Sequence, residues 1–355
     1  MDKLRVGVLG ATGLVGQRFV HLLSRHPWFR LEYLAASLGS AGRRYEDVVS
    51  WYMGSELDDR LKGFILGNAS DPASVPRDLD VVFSALPSSV AMDVEVPLAR
   101  NGFLVVSNAS PMRLERDVPL LNPEVNYEHI KALELQARLR GWRGGLIKNP
   151  NCSTAILTLS LAPLRKYCLR EVIVTTLQAI SGAGLRGVNA YSIVDNVIPY
   201  IEREEFKLRE ETRKILGRLS SDGVEPGDVR VSATTARVPV LDGHMESVHV
   251  RLERAFDVGE VLDELKAFSS LPQELGLPTA PKRPIVVMLD RDRPQPRLDR
   301  YVEGGMAVAV GRVEAAESLP GRWLKYVVLG HNTVRGAAGT AVLIAELYFK
   351  MEGMV

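Results

Sequence analysis

The chain has 355 residues, with 44 Lys and Arg against 43 Asp and Glu for a formal net charge of +1, and 46% of its side chains are hydrophobic. At about 150 residues per domain this length favours two domains; the composition excludes disorder, and the charge balance leaves no global field for gathering nucleic acid or anionic membrane. Two cysteines, Cys152 and Cys168, exclude a disulfide-stapled secreted module. The opening MDKLRVGVLGATG lacks a signal-peptide cleavage pattern, and no apolar run approaches the ~20 residues of a bilayer span. A cytoplasmic protein with no nucleic-acid and no membrane partner is expected.

In chain order, the apolar run Leu4–Leu9 predicts a strand, followed by Gly10-Ala-Thr-Gly13-Leu-Val-Gly16 and a helix with Phe19, Leu22 and Leu23 on one face, closed by Pro27. Leu31–Ala36, Asp80–Leu86 and Phe103–Ser107 continue as apolar runs of the buried parallel kind, with functional loops expected at their C-terminal ends. Strands alternating with helices over residues 1–150 predict a Rossmann-type, doubly wound parallel sheet. Beyond residue 150 the pattern changes. Ser153–Tyr167 reads as a helix with Pro163 ending its regular part, Glu171–Ala179 as a strand, and Ile201–Leu219 as a charged amphipathic helix. Val229–Val238, Ser247–Leu252, Ile285–Leu289, Ala307–Val313 and Leu324–Leu329 read as strands, and Pro278–Pro284 and Asp290–Arg300 as loops. They predict an α+β unit with a mixed sheet over 151–331. Thr333–Met351 is strongly helical and is expected to return to the first unit, so that 332–355 joins 1–150.

Gly10, Gly13 and Gly16 sit between a strand and a helix, where glycines allow a tight turn and let backbone N–H groups approach a pyrophosphate. An NAD-type site places an acid at the end of the second strand for the ribose 2′-hydroxyl. Here Ala36-Ser-Leu-Gly-Ser-Ala-Gly-Arg43-Arg44 offers hydroxyls and guanidinium groups and no acid, which favours NADP.

In Asn149-Pro-Asn-Cys152-Ser-Thr a turn leads into a helix, which puts Cys152 at a helix N-terminus, where the dipole and free N–H groups stabilise a thiolate or an oxyanion. A thiolate beside a nicotinamide implies attack on a carbonyl, hydride transfer between thiohemiacetal and thioester, and exchange with phosphate. Among six histidines, His21, His26, His129 and His249 lie in helix, turn or mid-strand contexts. His244 is expected on the Asp242-Gly-His244 turn, well placed for proton transfer, with His331 second. Cys168 reads as a packing residue, and no metal site is expected.

GATGLVGQ, NPNCST, Gln178-Ala-Ile-Ser-Gly182, Arg237-Val-Pro-Val-Leu-Asp-Gly-His244 and His331-Asn-Thr-Val-Arg-Gly-Ala-Ala-Gly339, in that order, resemble the aspartate-semialdehyde dehydrogenase family over essentially the whole chain, most of all its archaeal and fungal branch. The resemblance implies NADP-dependent reductive dephosphorylation of aspartyl phosphate to aspartate semialdehyde, the branch step toward lysine, methionine and threonine, in a homodimer or homotetramer. It implies Cys152 as nucleophile, His244 as acid–base catalyst and Gln178 as the residue orienting substrate. Arg237 matches the clamp on the substrate carboxylate, Glu204 the acid for its amino group (with Glu205 competing by register), Lys207 and Arg113 the phosphate ligands, and Asn151 a further substrate contact. Gly10, Thr12, Gly13, Leu14, Val15, Ser37, Ser40, Arg43, Ser181, Gly182 and Asn332 match cofactor-binding positions. A malonyl-CoA or succinyl-CoA reductase of the same fold, dehydrogenases for glyceraldehyde 3-phosphate or N-acetylglutamyl phosphate, and a non-catalytic NADP-binding homologue are the alternatives. Of these, the CoA branch has no use for an amino-group acid, and a pseudoenzyme no need to keep Cys152, Gln178, Arg237 and His244 together.

Overall fold

The computed structural model describes residues 3–355. β1 (Leu4–Leu9), β2 (Phe29–Ala36), β3 (Gly67–Asn68), β4 (Val81–Ser84), β5 (Leu104–Ser107) and β6 (Gly145–Lys148) form a parallel sheet in the order β3-β2-β1-β4-β5-β6. Helices α1 (Leu14–Leu23), α2 (Ser88–Arg100) and α3 (Ala132–Arg140) lie among its crossovers. The order reverses between β1 and β4, and such a switch point opens a crevice at the C-terminal strand ends. The Gly10 turn lies there, with φ +80° and its back against the chain after β4: a Cβ on Gly10 would stand 2.7 Å from the Ala85 carbonyl oxygen.

After α4 (Cys152–Leu161) and a tighter helical stretch over 162–167 come β7 (Leu169–Gln178), α5 (Glu204–Ile215), a small hairpin of β8 (Arg218–Ser220) and β9 (Gly223–Glu225), β10 (Arg230–Arg237) and β11 (His244–Leu252). Then follow α6 (Val258–Ala267), β12 (Ile285–Met288), β13 (Val308–Ala315) and β14 (Trp323–Gly330). The second sheet is mixed, in the order β10-β7-β11-β14-β13-β12. One face is apolar and packs on α4 and α5, with Val172, Val174, Val248 and Val250 meeting Ile156, Leu157, Leu208 and Ile215. The opposite face of β7 and β11 is largely solvent-accessible, the one-sided burial that antiparallel pairing allows.

The chain then passes through a wide π-type turn over 334–338 into α7 (Gly339–Met351). Val342, Leu343, Ile344, Leu347 and Phe349 bury in the same cluster as Phe19, Phe29, Phe83, Val106 and Ile147 of the parallel sheet and its cover.

Several element boundaries differ from expectation. The charged helix runs Glu204–Ile215, not to Leu219, because Gly217 turns the chain tightly against Glu225 and Leu219 enters the hairpin. Asp290–Arg300 contains one helical turn, Pro296–Asp299. β3 and β6 were not foreseen: two residues in one and a Gly-Leu-Ile-Lys tetrapeptide in the other give too short a periodic signal.

Candidate active site

The strand registers of the second sheet assemble one polar row at its upper edge. Arg237 pairs with Gln178 across β10 and β7, and His244 pairs with Gly330 across β11 and β14. Met245 pairs with Leu177, which carries the same register on to bring His244 beside Gln178. Side chains alternate along a strand, so all three turn to the face that α4 and α5 cover, and all three are buried.

Helix α4 brings Cys152 down onto this row. The Asn151 side chain caps it, Oδ1 accepting from the N–H groups of Ser153 (3.0 Å) and Thr154 (3.3 Å), so the cysteine stands at the first helical position as expected. Gly336 closes the other side; a Cβ there would stand 2.6 Å from that of Cys152. The Cys152 Sγ lies 3.1 Å from His244 Nε2, and His244 Nδ1 accepts the Ala179 backbone N–H at 3.1 Å. With Nδ1 used as an acceptor, a neutral ring carries its proton on Nε2 and offers it to sulfur. His244 lies just past the turn rather than on it, which corrects the sequence expectation. Gly243 (φ +101°) makes the turn, its N–H is held by Asn332 Oδ1 at 2.8 Å, and His244 is already the first, fully buried residue of β11.

The electrostatics keep both partners uncharged at rest. Burial pushes the Cys152 thiol up to about 12, the Glu204 charge adds to this, and Arg237 and Lys207 oppose it. Burial, then the Arg237 and His331 charges, push His244 well below the usual histidine value. Arg237 donates through Nη1 to the Ala179 carbonyl at 2.8 Å, so the segment after β7 holds the arginine with its oxygen and the histidine with its N–H. Gly182 keeps this segment close, since a Cβ there would meet Arg237 Nη1 at 2.7 Å and the His244 ring at 3.1 Å.

Helix α5 supplies the facing wall. Glu204 accepts from Asn151 Nδ2 (2.6 Å) and Lys207 Nζ (3.0 Å), whereas Glu205 accepts the Thr235 N–H (3.2 Å) and faces β10. Glu211, which the sequence reading passed over, accepts from Arg113 Nη1 (2.9 Å) and the Asn151 N–H (2.6 Å). Residues 204, 207 and 211 form one helical stripe, a spacing that could have revealed it. Arg113 also donates to the Asn108 carbonyl at 2.6 Å.

A cleft of about 620 Å³ joins these groups to the glycine turn, lined by Gly13–Gly16, Arg113, Asn151, Cys152, Ser181, Gly182, Lys207 and Asn332 among others. Asn332 Nδ2 donates to Ser181 Oγ at 2.8 Å, fixing the cleft's far lip. Gly16 must be glycine for packing, a Cβ there falling 2.0 Å from the Gly10 oxygen, but Gly13 meets only that oxygen at 3.5 Å. Its bare backbone is therefore open to a close-lying group, as a pyrophosphate cradle requires. Ser37, Ser40 and Arg43 lie at or just beyond the C-terminal end of β2, next to this turn but outside the cleft lining, and Arg43 donates to the Asp47 carbonyl. Leu14 and Val15 line the cleft, and Thr12 sits in the turn with its carbonyl held by Gln17. Among the described residues no His, Cys, Asp and Glu cluster could hold a metal ion.

A cysteine–histidine pair opening onto a dinucleotide cradle defines a thiol-dependent, nucleotide-linked dehydrogenase. Residues 5–133 match the semialdehyde dehydrogenase NAD binding domain and residues 161–335 the semialdehyde dehydrogenase dimerisation domain. The chain belongs to the semialdehyde dehydrogenase family. It is 48% identical to an aspartate-semialdehyde dehydrogenase of Methanothermobacter thermautotrophicus, over 97% of this chain and 98% of that one. It is 36% identical to a malonyl CoA reductase (NADP) of Metallosphaera sedula, over 97% and 96%. The crystal structure of aspartate semialdehyde dehydrogenase with NADP from Candida albicans superposes with a TM-score of 0.90 at 41% identity, covering all of both chains.

Proposed function

We propose that this chain is an NADP-dependent aspartate-semialdehyde dehydrogenase that reduces L-aspartyl 4-phosphate to L-aspartate 4-semialdehyde, releasing phosphate, through a thioester on Cys152. The observation that carries the reading is the Cys152–His244 pair under the opposed charges of two anchors, Glu204 and Arg237, with Cys152 lining the cleft that reaches the glycine turn. The anchors fit the ammonium and α-carboxylate of an amino acid, the guanidinium fork suiting a carboxylate. Arg113 and Lys207 are suited to the phosphate.

Glu204 raises the thiol's pKa, so pairing Glu204 with a substrate ammonium removes an obstacle to thiolate formation. Sγ attacks the acyl carbon, the C–O bond to phosphate breaks, and the thiol proton leaves with the phosphate. Ser37, Ser40 and Arg43 would hold the 2′-phosphate of reduced NADP at the glycine turn, and Ser181, Gly182 and Asn332 its nicotinamide end; the bound cofactor would supply the hydride that reduces the thioester. His244 Nε2–H then holds the resulting oxyanion; as the aldehyde C=O re-forms, the C–S bond breaks, and the departing thiolate takes a proton from solvent to restore the thiol. The ring's fixed tautomer supports hydrogen-bond donation as its resting role, narrower than the general acid–base task expected from sequence. Gln178 orients the acyl group, and Asn151 holds Glu204.

The same reading takes residues 1–150 with 332–355 as the cofactor unit and 151–331 as the catalytic and dimerisation unit, in a cytoplasmic enzyme of amino-acid biosynthesis. The open face of the second sheet, with Ile173 exposed, suits a homodimer contact. The test is phosphate-dependent NADP reduction with aspartate semialdehyde, run beside malonyl-CoA reduction. Cys152→Ala is expected to abolish the first and keep cofactor binding; wild-type activity on malonyl-CoA with none on the aspartate compounds overturns the assignment.

A further inference from the structure

One residue row below Arg237, Gln178 and His244, the same registers align Thr235, Thr176 and Glu246 across β10, β7 and β11. All three are fully buried. Glu246 is unusual among them: both carboxyl oxygens lack a protein hydrogen-bond partner, as do the hydroxyls of Thr235 and of nearby Ser153 at the head of α4. Buried polar groups are seldom left unpaired without a bound water or a functional reason. Glu246 has no part in the chemistry proposed for Cys152 and His244.

We propose that Glu246 is a positioning residue that fixes the orientation of the Gln178 side-chain amide through Thr176 and an internal water. The inference rests on the reading of Gln178 as the residue that orients the acyl group. Gln178 Nε2 donates to Thr176 Oγ1 at 3.2 Å. A hydroxyl can accept from an amide N–H or donate to an amide oxygen, so Thr176 alone does not decide which end of the amide faces the cleft. The decision lies with the hydroxyl proton. If that proton is drawn away, Thr176 must accept, and Nε2 is held down while Oε1 is left to the cleft.

Glu246 stands directly opposite Thr176 in the antiparallel pair, where Cβ atoms lie about 5 Å apart and side chains share a face. Its carboxyl carries two unpartnered oxygens; Thr235 offers a hydroxyl, which donates as readily as it accepts and so does not by itself draw the Thr176 proton away. Thr176 and Glu246 make no direct hydrogen bond, so one water completes the chain, the kind of polar pocket in which internal water is retained. Burial, reinforced by the Glu204 charge, raises the Glu246 carboxyl well above the usual range. A neutral acid keeps its carbonyl oxygen as the acceptor for the water that Thr176 donates to.

Three variants test this, each assayed for kcat and KM with aspartate semialdehyde and for its urea unfolding midpoint. Glu246→Leu removes the acceptor and frees the amide to flip; kcat is expected to fall about 10- to 100-fold with KM little changed, the signature of lost orientation. Its midpoint stays level or rises, because an apolar side chain replaces an unpaired buried carboxyl. Glu246→Gln keeps a neutral acceptor and is expected to return kcat to within about 3-fold of wild type. Thr176→Val breaks the same chain one link earlier, so it repeats the Glu246→Leu loss, and the double variant is no slower than either. Wild-type kcat in Glu246→Leu, or Glu246→Gln as slow as Glu246→Leu, overturns the proposal while leaving the aspartate-semialdehyde reading intact. If Glu246→Leu does not fold, Thr176→Val and Glu246→Gln decide alone. A wild-type enzyme inactive on aspartate semialdehyde overturns the functional reading itself.

Discussion

At the scale of single residues, the chemistry of this centre depends on which atom of each group is already engaged. The Ala179 N–H takes His244 Nδ1 and leaves Nε2–H for sulfur, and burial holds the ring neutral far below the usual histidine range. A base whose pKa is lowered gains its proton only at correspondingly low pH. The pH profile of kcat/KM is accordingly expected to show no acid limb near 6.5, and an inflection there that His244→Ala removes would contradict the neutral, donating ring. Losing that donor should lower kcat about 10²- to 10³-fold. Glu204 has the opposite electrostatic sign to Arg237 at the same sulfur. Neutralising it in Glu204→Gln removes a charge that disfavours thiolate, so alkylation of the substrate-free protein by iodoacetamide should become faster at any fixed pH below the thiol's pKa. An unchanged or slower rate would show that Glu204 does not govern the nucleophile.

At the scale of elements, α5 ties two loops to one helical face. Glu211 joins Arg113 to the Asn151 N–H, and Glu204 holds the Asn151 side chain. One turn on, buried Lys214 donates to three backbone carbonyls of the loop that carries Arg113, those of Arg113 (2.7 Å), Glu115 (2.5 Å) and Val118 (2.7 Å). Burial pushes this lysine down to about 7, with Asp117, Glu115 and Glu211 holding it up. Lys214→Met leaves those carbonyls without their donor. A loss of about 3 kcal/mol in urea unfolding is expected, at roughly 1 kcal/mol for each of the three hydrogen bonds. The accompanying change in kinetics should be a raised KM for phosphate, because the loop, not the nucleophile, is released.

At the scale of the whole molecule, the site exists where two sheets meet the returning C-terminal segment. Arg335 and Glu124 are both fully buried and form a bidentate pair at 2.7 Å for each bond, with Asn122 accepting a further bond from the arginine. The pair anchors the π-type turn whose next residue, Gly336, lies against Cys152. Removing one partner of a buried pair strands the other charge, so Arg335→Met is expected to lose about 3–5 kcal/mol of stability, and the double change with Glu124→Met considerably less. Equal losses in the single and double variants, read from denaturant melts, would exclude the stranded charge as the cause.

The sequence by itself determined the elements and the residue types: the strand–glycine–helix opening, the helix N-terminus under Cys152, the absence of an acid after the second strand, and the apolar C-terminal helix. These are local signals, set by backbone conformation, capping and hydrophobic period within a few residues. What only the tertiary structure decided is which of these residues meet. His244 moved from an expected turn into a buried strand start, because its place depends on pairing with Gly330 about 86 residues away. Glu204 was separated from Glu205 by which strand and which cap each reaches, Glu211 gained importance through the Arg113 and Asn151 groups that fold against its helix, and Ala179 and Glu246 through register across strands far apart in sequence. Register and burial are properties of the assembled sheet, and they turned a neutral-looking chain into one with opposed charges around a single uncharged thiol.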